Sequence, residues 1–221
     1  MSALTFTLKE SVNHTVDCKN ITPDALQGKS TADILAIKLG NQISVTDVFD
    51  VKGDDASTIV IKNSKDCLHH IGYRMKTGSI TIEGDTGDFT GAEMQGGVLV
   101  CKGNTGERTA DKMRRGILLV EGNTGDYCAS SMRAGTVGVL GNTGNRLAYG
   151  MKRGTLLLAQ LPMLQATWLD CGLHTLPFLN ILYQSFQQLD TKFSKINQKR
   201  VKRWMGDVSG IGKAEILILQ S

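Results

Sequence analysis

The chain has 221 residues, of which 41% are hydrophobic, enough for one or two domains with a core. Its 25 glycines against 3 prolines indicate ordered turns. The net charge of +4 does not by itself argue for nucleic-acid binding, and the apolar runs are too short to span a bilayer. The five cysteines match no zinc or disulfide framework, which favours a reducing compartment, and we expect a cytoplasmic protein.

Residues 1–58 are predicted to form a small α+β capping segment. The stretch TFTLKE within the first ten residues is typical of a strand. The TPD motif at 22–24 predicts a helix start, with Thr as the cap and Pro at the first helical position. The STAD motif at 30–33 predicts a second short helix through residue 39. A strand pair at 45–51 and 56–62 is expected to lead into the next region.

The centre of the chain repeats every 19 residues without an insertion. Methionine, glycine and small residues recur in five columns at this spacing. The columns are Met75, Met94, Met113, Met132 and Met151; Gly78, Gly97, Gly116, Gly135 and Gly154; Gly84, Gly103, Gly122 and Gly141; Gly87, Gly106, Gly125 and Gly144; and Gly72, Gly91, Ala110, Ala129 and Ala148. Such a period predicts a repeat architecture.

Each unit contains one short β-rich stretch whose apolar residues alternate. The alternating pairs that should point inward are Ile80/Ile82, Leu99/Cys101, Leu118/Val120, Val137/Val139 and Leu156/Leu158. A strand every 19 residues, paired with its equivalent, predicts an all-β fold: a parallel β-solenoid over residues 59–161, with units about 4.8 Å apart.

The Gly-rich turns of the units are predicted to be structural corners. We expect φ > 0 at their glycines, where a Cβ would clash, and stacking of Asp85, Asn104, Asn123 and Asn142 along the axis. The predicted turn glycines are Gly84, Gly87, Gly103, Gly106, Gly122, Gly125, Gly141 and Gly144. A phosphate loop needs Lys-Ser/Thr and a helix, a dinucleotide fingerprint needs a strand and a helix, and calcium repeats need more Asp. These alternatives are therefore disfavoured.

Residues 162–221 are predicted to form a helical C-terminal cap with a final strand. The repeat stops at Pro162, and apolar residues at helical spacing follow Pro177 as far as Leu189. A basic run occupies 199–204. The stretch 213–219 is typical of a strand and is expected to rejoin the solenoid.

Few residues of the chain are typical of a catalytic site. Cys171 and His174 could be a nucleophile pair or half a metal site, yet a lone Cys and His near a helix start more often serve packing and capping. The same applies to His69 and His70. We predict no catalytic residue and no metal site.

The residues that follow each repeat methionine are often basic. In a solenoid they form a basic strip along one edge, which we define as Lys76, Arg114, Arg115, Arg133, Lys152 and Arg153. Two interpretations stay open: a solvated turn, or a site for an acidic partner or anionic ligand. Stacked like charges repel unless something anionic offsets them, and Arg suits carboxylates.

Several segments of the chain carry a resemblance to a known family. They are the opening SALT strand, the TPD motif, the 19-residue units, CGLH at 171–174 followed by LPFL, and the closing GD and GKAEIL stretches. Together they resemble the C subunit of formylmethanofuran dehydrogenase, including its bacterial form in the formyltransferase/hydrolase complex. The repeats alone are similar to the C-terminal domain of glutamate synthase.

The resemblance implies a non-catalytic scaffold subunit in tetrahydromethanopterin-linked C1 metabolism, in which formaldehyde is oxidised to formate. It implies partners A (an amidohydrolase that carries a metal), B and D (a formyltransferase), and a methanofuran-type carrier and tetrahydromethanopterin used by the complex, with no cofactor on this chain. It also suggests that the carrier's polyglutamate chain meets the basic strip. No nucleic acid or membrane is expected. The alternatives are a glutamate-synthase-like accessory domain, a stand-alone anion-binding solenoid, and a hydrolase using Cys171 and His174.

Overall fold

The computed structural model describes residues 2–40 and 43–220, in which an eleven-stranded, mostly parallel sheet dominates. The ends of the predicted outer domains, Met1 and Ser221, lie outside the described residues. The elements of the first 69 residues are β1 (Ala3–Leu8), β2 (Val16–Asp17), α1 (Pro23–Leu26), α2 (Thr31–Leu35), α3 (Val45–Val48), β3 (Phe49–Lys52), β4 (Asp55–Ser64) and β5 (Leu68–His69).

The N-terminal segment has the predicted helix starts, but it differs from the prediction elsewhere. The Thr22 side chain caps α1, and Ser30 with Asp33 forms a capping box on α2. Helix α2 ends at Leu35 rather than at residue 39. The strand pair predicted at 45–51 and 56–62 is wrong, because a capping box at Ser44 folds the first half of 45–51 into α3. Strand β1 lies between β3 and β4, antiparallel to β3 and parallel to β4.

The strands of the repeats pair in parallel with a register offset of 19 residues, as the sequence predicts. Ile80 pairs with Leu99, and Leu99 pairs with Leu118. The inward residues of these strands and the repeat methionines are at most 1% exposed. The turn segments also line up, since Thr105 bridges Thr124. The strands are β6 (Ser79–Gly84), β7 (Gln95–Cys101), β8 (Arg115–Val120), β9 (Thr136–Val139) and β10 (Arg153–Leu158).

The C-terminal segment contains more strand than predicted. Its elements are β11 (Leu169–Thr175), α4 (Phe178–Gln187), a 3-10 helix (Lys192–Lys195), β12 (Arg200–Gly206) and β13 (Lys213–Leu219). The final strand is confirmed and pairs in parallel with β10, Leu156 opposite Ile216. The basic run forms β12, which lies antiparallel between β11 and β13. Among the residues that the structure describes, no helix is long and apolar enough to cross a membrane.

The C-terminal segment covers the second face of the repeat sheet. The outward residues Val100, Leu119 and Leu157 are at most 3% exposed, because they pack with residues of α4 and the 3-10 helix. The equivalent position in β9 is Gly138, where a Cβ would lie 2.5 Å from Cε1 of Phe193. The missing side chain makes room for that ring. The repeat strands are therefore buried on both faces, as is usual for parallel sheets.

Candidate functional site

The turn glycines are required by close stacking of the units, and the predicted φ > 0 is wrong for most of them. Of the eight, Gly84 alone has a positive φ, 128°. A Cβ on Gly103 would lie 2.4 Å from the carbonyl oxygen of Gly84, and one on Gly122 would lie 2.6 Å from that of Gly103. These turns therefore hold no space for a ligand between units.

The left-handed backbone lies instead in a second corner that the sequence analysis missed. Non-glycine residues with φ between 52° and 60° recur there at 19-residue spacing. They are His70, Phe89, Arg108, Tyr127 and Arg146; Ala110, Ala129 and Ala148; and Arg74, Glu93, Lys112 and Ser131. The spacing of the alanine column was visible in the sequence, but most of these residue types do not indicate a left-handed conformation.

The Asp85/Asn column stacks as predicted, through bonds from side chain to backbone. The Asp85 Oδ1 accepts from the Asn104 N–H at 2.7 Å, and the Asn104 Oδ1 accepts from the Asn123 N–H at 2.8 Å. A parallel column does the same, since Asp88 Oδ1 accepts from the Glu107 N–H at 2.8 Å. These oxygens satisfy the backbone of the next unit, which is a structural role.

The basic strip lies on exposed turns that hydrogen bonds hold in register. The N–H groups of Arg114, Arg133 and Lys152 each donate to a methionine carbonyl of the preceding unit at 2.8 Å. All six strip side chains are exposed. Within residues 2–40 and 43–220, none of them forms an ion pair with an acidic side chain.

Strand β13 adds a further basic residue beside the strip. Lys213 pairs with Arg153 across the β10–β13 ladder and is exposed. Sequence reasoning missed it because Lys213 belongs to no repeat. The expected return of 213–219 to the sheet was the signal that could have placed it there.

Cys171 and His174 lie on β11, so their predicted position near a helix start is wrong. The His174 Nε2 is 2.7 Å from the carbonyl oxygen of Cys171, and the Cys171 thiol is 3.5 Å from the carbonyl oxygen of Leu169. Gly172, with φ of 87°, lies where the β11–β12 register shifts. The imidazole is thus engaged with backbone rather than with the thiol, which is not the geometry of an activated nucleophile.

The histidine pair at 69 and 70 makes separate contacts. The Asp88 N–H donates to Nδ1 of His69 at 3.1 Å, and the His70 ring stacks on Phe89 at 4.9 Å. Burial lowers the pKa of His70. Among the described residues, no three His, Cys, Asp or Glu side chains come together to hold a metal ion.

The cysteines that lie inside the repeats behave as packing residues. All five cysteines are free thiols. Burial raises the pKa of Cys101 and of Cys128 to about 12. A thiol is a poor nucleophile in that state, because the thiolate is the reactive form.

The fold and these contacts define a protein of stacked parallel β repeats that presents a basic edge. No family model matches the chain. It is similar to the C subunit of the formyltransferase/hydrolase complex Fhc from Methylorubrum extorquens, with 34% identity over 86 residues, 38% of this chain and 32% of that one. It is also similar to the C subunit of tungsten-containing formylmethanofuran dehydrogenase 2 from Methanococcus maripaludis, with 34% identity over 92 residues, 39% of this chain and 34% of that one. The matches span about a third of the length of these curated relatives.

A solved structure extends the similarity to nearly the whole chain. A chain in the crystal structure of the formyltransferase/hydrolase complex FhcABCD from Methylorubrum extorquens, in complex with methylofuran, has a TM-score of 0.69 and 25% sequence identity to this protein. The match covers 98% of this chain and all of that one. The resemblance predicted from the sequence is confirmed: homologues of this chain are C subunits of formyltransferase/hydrolase and formylmethanofuran dehydrogenase complexes.

Proposed function

We propose that the chain is a non-catalytic structural subunit of a formyltransferase/hydrolase complex that works in tetrahydromethanopterin-linked C1 metabolism. The observation that carries this proposal is the match over 98% of the chain to a component of the FhcABCD complex. The stacked repeats support it, because their polar side chains are used to hold units together. A protein of this kind would contribute surfaces for assembly rather than reacting groups.

The finer features predicted from the sequence are part of this proposal. The chain would be a β-solenoid of 19-residue coils over 59–161, capped by 1–58 and 162–221. Its partners would be an A subunit that is an amidohydrolase with its metal, a B subunit, and a D subunit that is a formyltransferase. The methanofuran-type carrier and tetrahydromethanopterin would bind to those partners. A cytoplasmic location, and contact of the carrier's glutamate chain with the basic strip, stay predictions.

Co-purification tests the structural role. A tagged chain expressed in its native host should elute with larger proteins of the complex, and the eluate should hydrolyse and transfer formyl groups. The isolated chain should do neither. A monomer that elutes alone, or formyl-amide hydrolysis by the chain alone, would contradict the proposal.

A hydrolase that uses Cys171 and His174 is the enzymatic alternative. The contacts do not favour it, since the imidazole is bonded to the Cys171 backbone carbonyl at 2.7 Å. The Cys171→Ala variant should retain the activity of the purified complex, with Cys67→Ala as a matched control. Loss of activity while the complex keeps its full composition would revive this alternative.

A further inference from the structure

The basic strip and Lys213 form one continuous charged surface along the sheet. They lie at the start of successive strands in the order β6, β7, β8, β9, β10 and β13, or just before it. At about 4.8 Å per strand, the surface runs for roughly 24 Å from Lys76 to Lys213. Gln95 is the uncharged member at β7.

This surface has a strong local excess of positive charge. The nearest acidic contact at its first end is Asp24, whose carboxylate accepts from the backbone N–H of Lys76 at 3.0 Å. Other basic residues of the repeats are paired, as Arg74 is with Glu93 at 2.9 Å. The described part of the chain therefore satisfies basic groups beside the strip and leaves the strip itself unpaired.

The shape and composition of the surface select the kind of partner. It is one or two residues wide, which suits a single extended chain better than a broad surface. The intervening residues Thr77, Gly96 and Ala134 offer neither an aromatic ring for stacking bases nor an apolar face for entering a membrane. Four of its seven cations are arginines, whose planar fork matches carboxylates.

We propose that this surface binds an extended, Glu- or Asp-rich polypeptide segment of a partner protein. An extended chain advances about 3.3 Å per residue, so roughly seven residues span the surface. The strand spacing and the side-chain spacing of the segment are not commensurate, so recognition rests on charge density and is salt-dependent. This binding is a property of the chain itself and does not depend on the proposed structural role in a complex.

The test measures binding of a fluorescent octaglutamate peptide to the full-length chain by anisotropy. We expect binding at low salt that weakens as salt rises. The triple variant Arg114→Gln, Arg133→Gln, Lys152→Gln should lose at least about tenfold in affinity, a loss of roughly threefold for each exposed ion pair. The matched control Lys29→Gln, Lys62→Gln, Lys65→Gln removes the same charge from exposed positions elsewhere and should lose less than about threefold.

Three outcomes would overturn the proposal. The wild-type chain could fail to bind the peptide at low salt. The two triple variants could lose affinity equally, which would mean that net charge alone drives binding. An eight-residue oligothymidylate could bind more tightly than octaglutamate, which would assign the surface to nucleic acid. Thermal melts of each variant confirm that the fold is retained, since the substituted side chains are exposed.

Discussion

A methyl group on a turn glycine should push two stacked units apart. The Cβ of Gly122→Ala would lie 2.6 Å from both the Gly103 carbonyl oxygen and the Asn104 Oδ1. Because ordinary contact begins near 3.4 Å, the units must separate by about 0.8 Å. That movement breaks the bond from the Gly122 N–H to the Gly103 oxygen, now 3.0 Å, and strains the bond from the Asn123 N–H to Asn104, now 2.8 Å.

The expected cost is about 3 kcal/mol, from two hydrogen bonds at ~1 kcal/mol each and an overpacking penalty of similar size. For a chain of this length, that lowers Tm by roughly 6–12 °C. The control Gly210→Ala places its Cβ 3.7 Å from the nearest atom at an ordinary φ, and should stay within about 0.5 kcal/mol of wild type. Differential scanning calorimetry compares them. Equal Tm values for the two variants would refute the close-stacking explanation.

Three further changes address the C-terminal segment. Glu121→Gln should cost about 3 kcal/mol and expose the 3-10 helix to hydrogen exchange, because the buried carboxylate accepts from the Thr191 hydroxyl at 2.9 Å; unchanged exchange would contradict this. Gly138→Val should displace Phe193 at a cost of about 2 kcal/mol, and Phe193→Ala in the same chain should relieve the clash, as urea unfolding would reveal. Burial works to raise the pKa of Asp207, but hydrogen bonds from Ser209 and from backbone groups lower it overall. Its ionised form thus adds stability above the unfolded pKa near ~3.9, so Asp207→Asn should be less stable than wild type at pH 7, and the gap should close as pH falls through the lowered folded pKa. A constant gap from pH 7 to pH 3 would argue against this.

The repeat region was largely predictable because its period carries two kinds of information. Equivalent residues in consecutive units must lie side by side, so the 19-residue spacing predicts the register, and the alternation of Leu118 and Val120 predicts the inward face. The apolar outward residues Val100, Leu119 and Leu157 were a signal of a covering layer that the alternation alone hides. Gly138 breaks that column because Phe193 fills its space.

The C-terminal strands were not predictable in the same way, because β11 and β12 belong to no period. The basic residues of β12 conceal its alternation, and a partner strand decides its structure: Trp204 is registered opposite Ile216 on β13. The turn glycines were assigned to the right positions for the wrong reason. Close backbone approach and positive φ both exclude a Cβ, and sequence cannot separate the two.

The hydrogen bonds that stack the repeats also determine where the strip charges lie. Each strip residue is held by its backbone, as Arg133 is by the bond to the Met113 carbonyl at 2.8 Å, so the turns cannot move apart to reduce repulsion. The side chains can splay into solvent, and salt screens what repulsion is left. A rigid backbone spacing with mobile charged ends is well suited to a flexible acidic segment, because the partner adapts to the charges without any change in the sheet. The same stacking that excludes ligands from the glycine turns thus maintains a charged edge beside them.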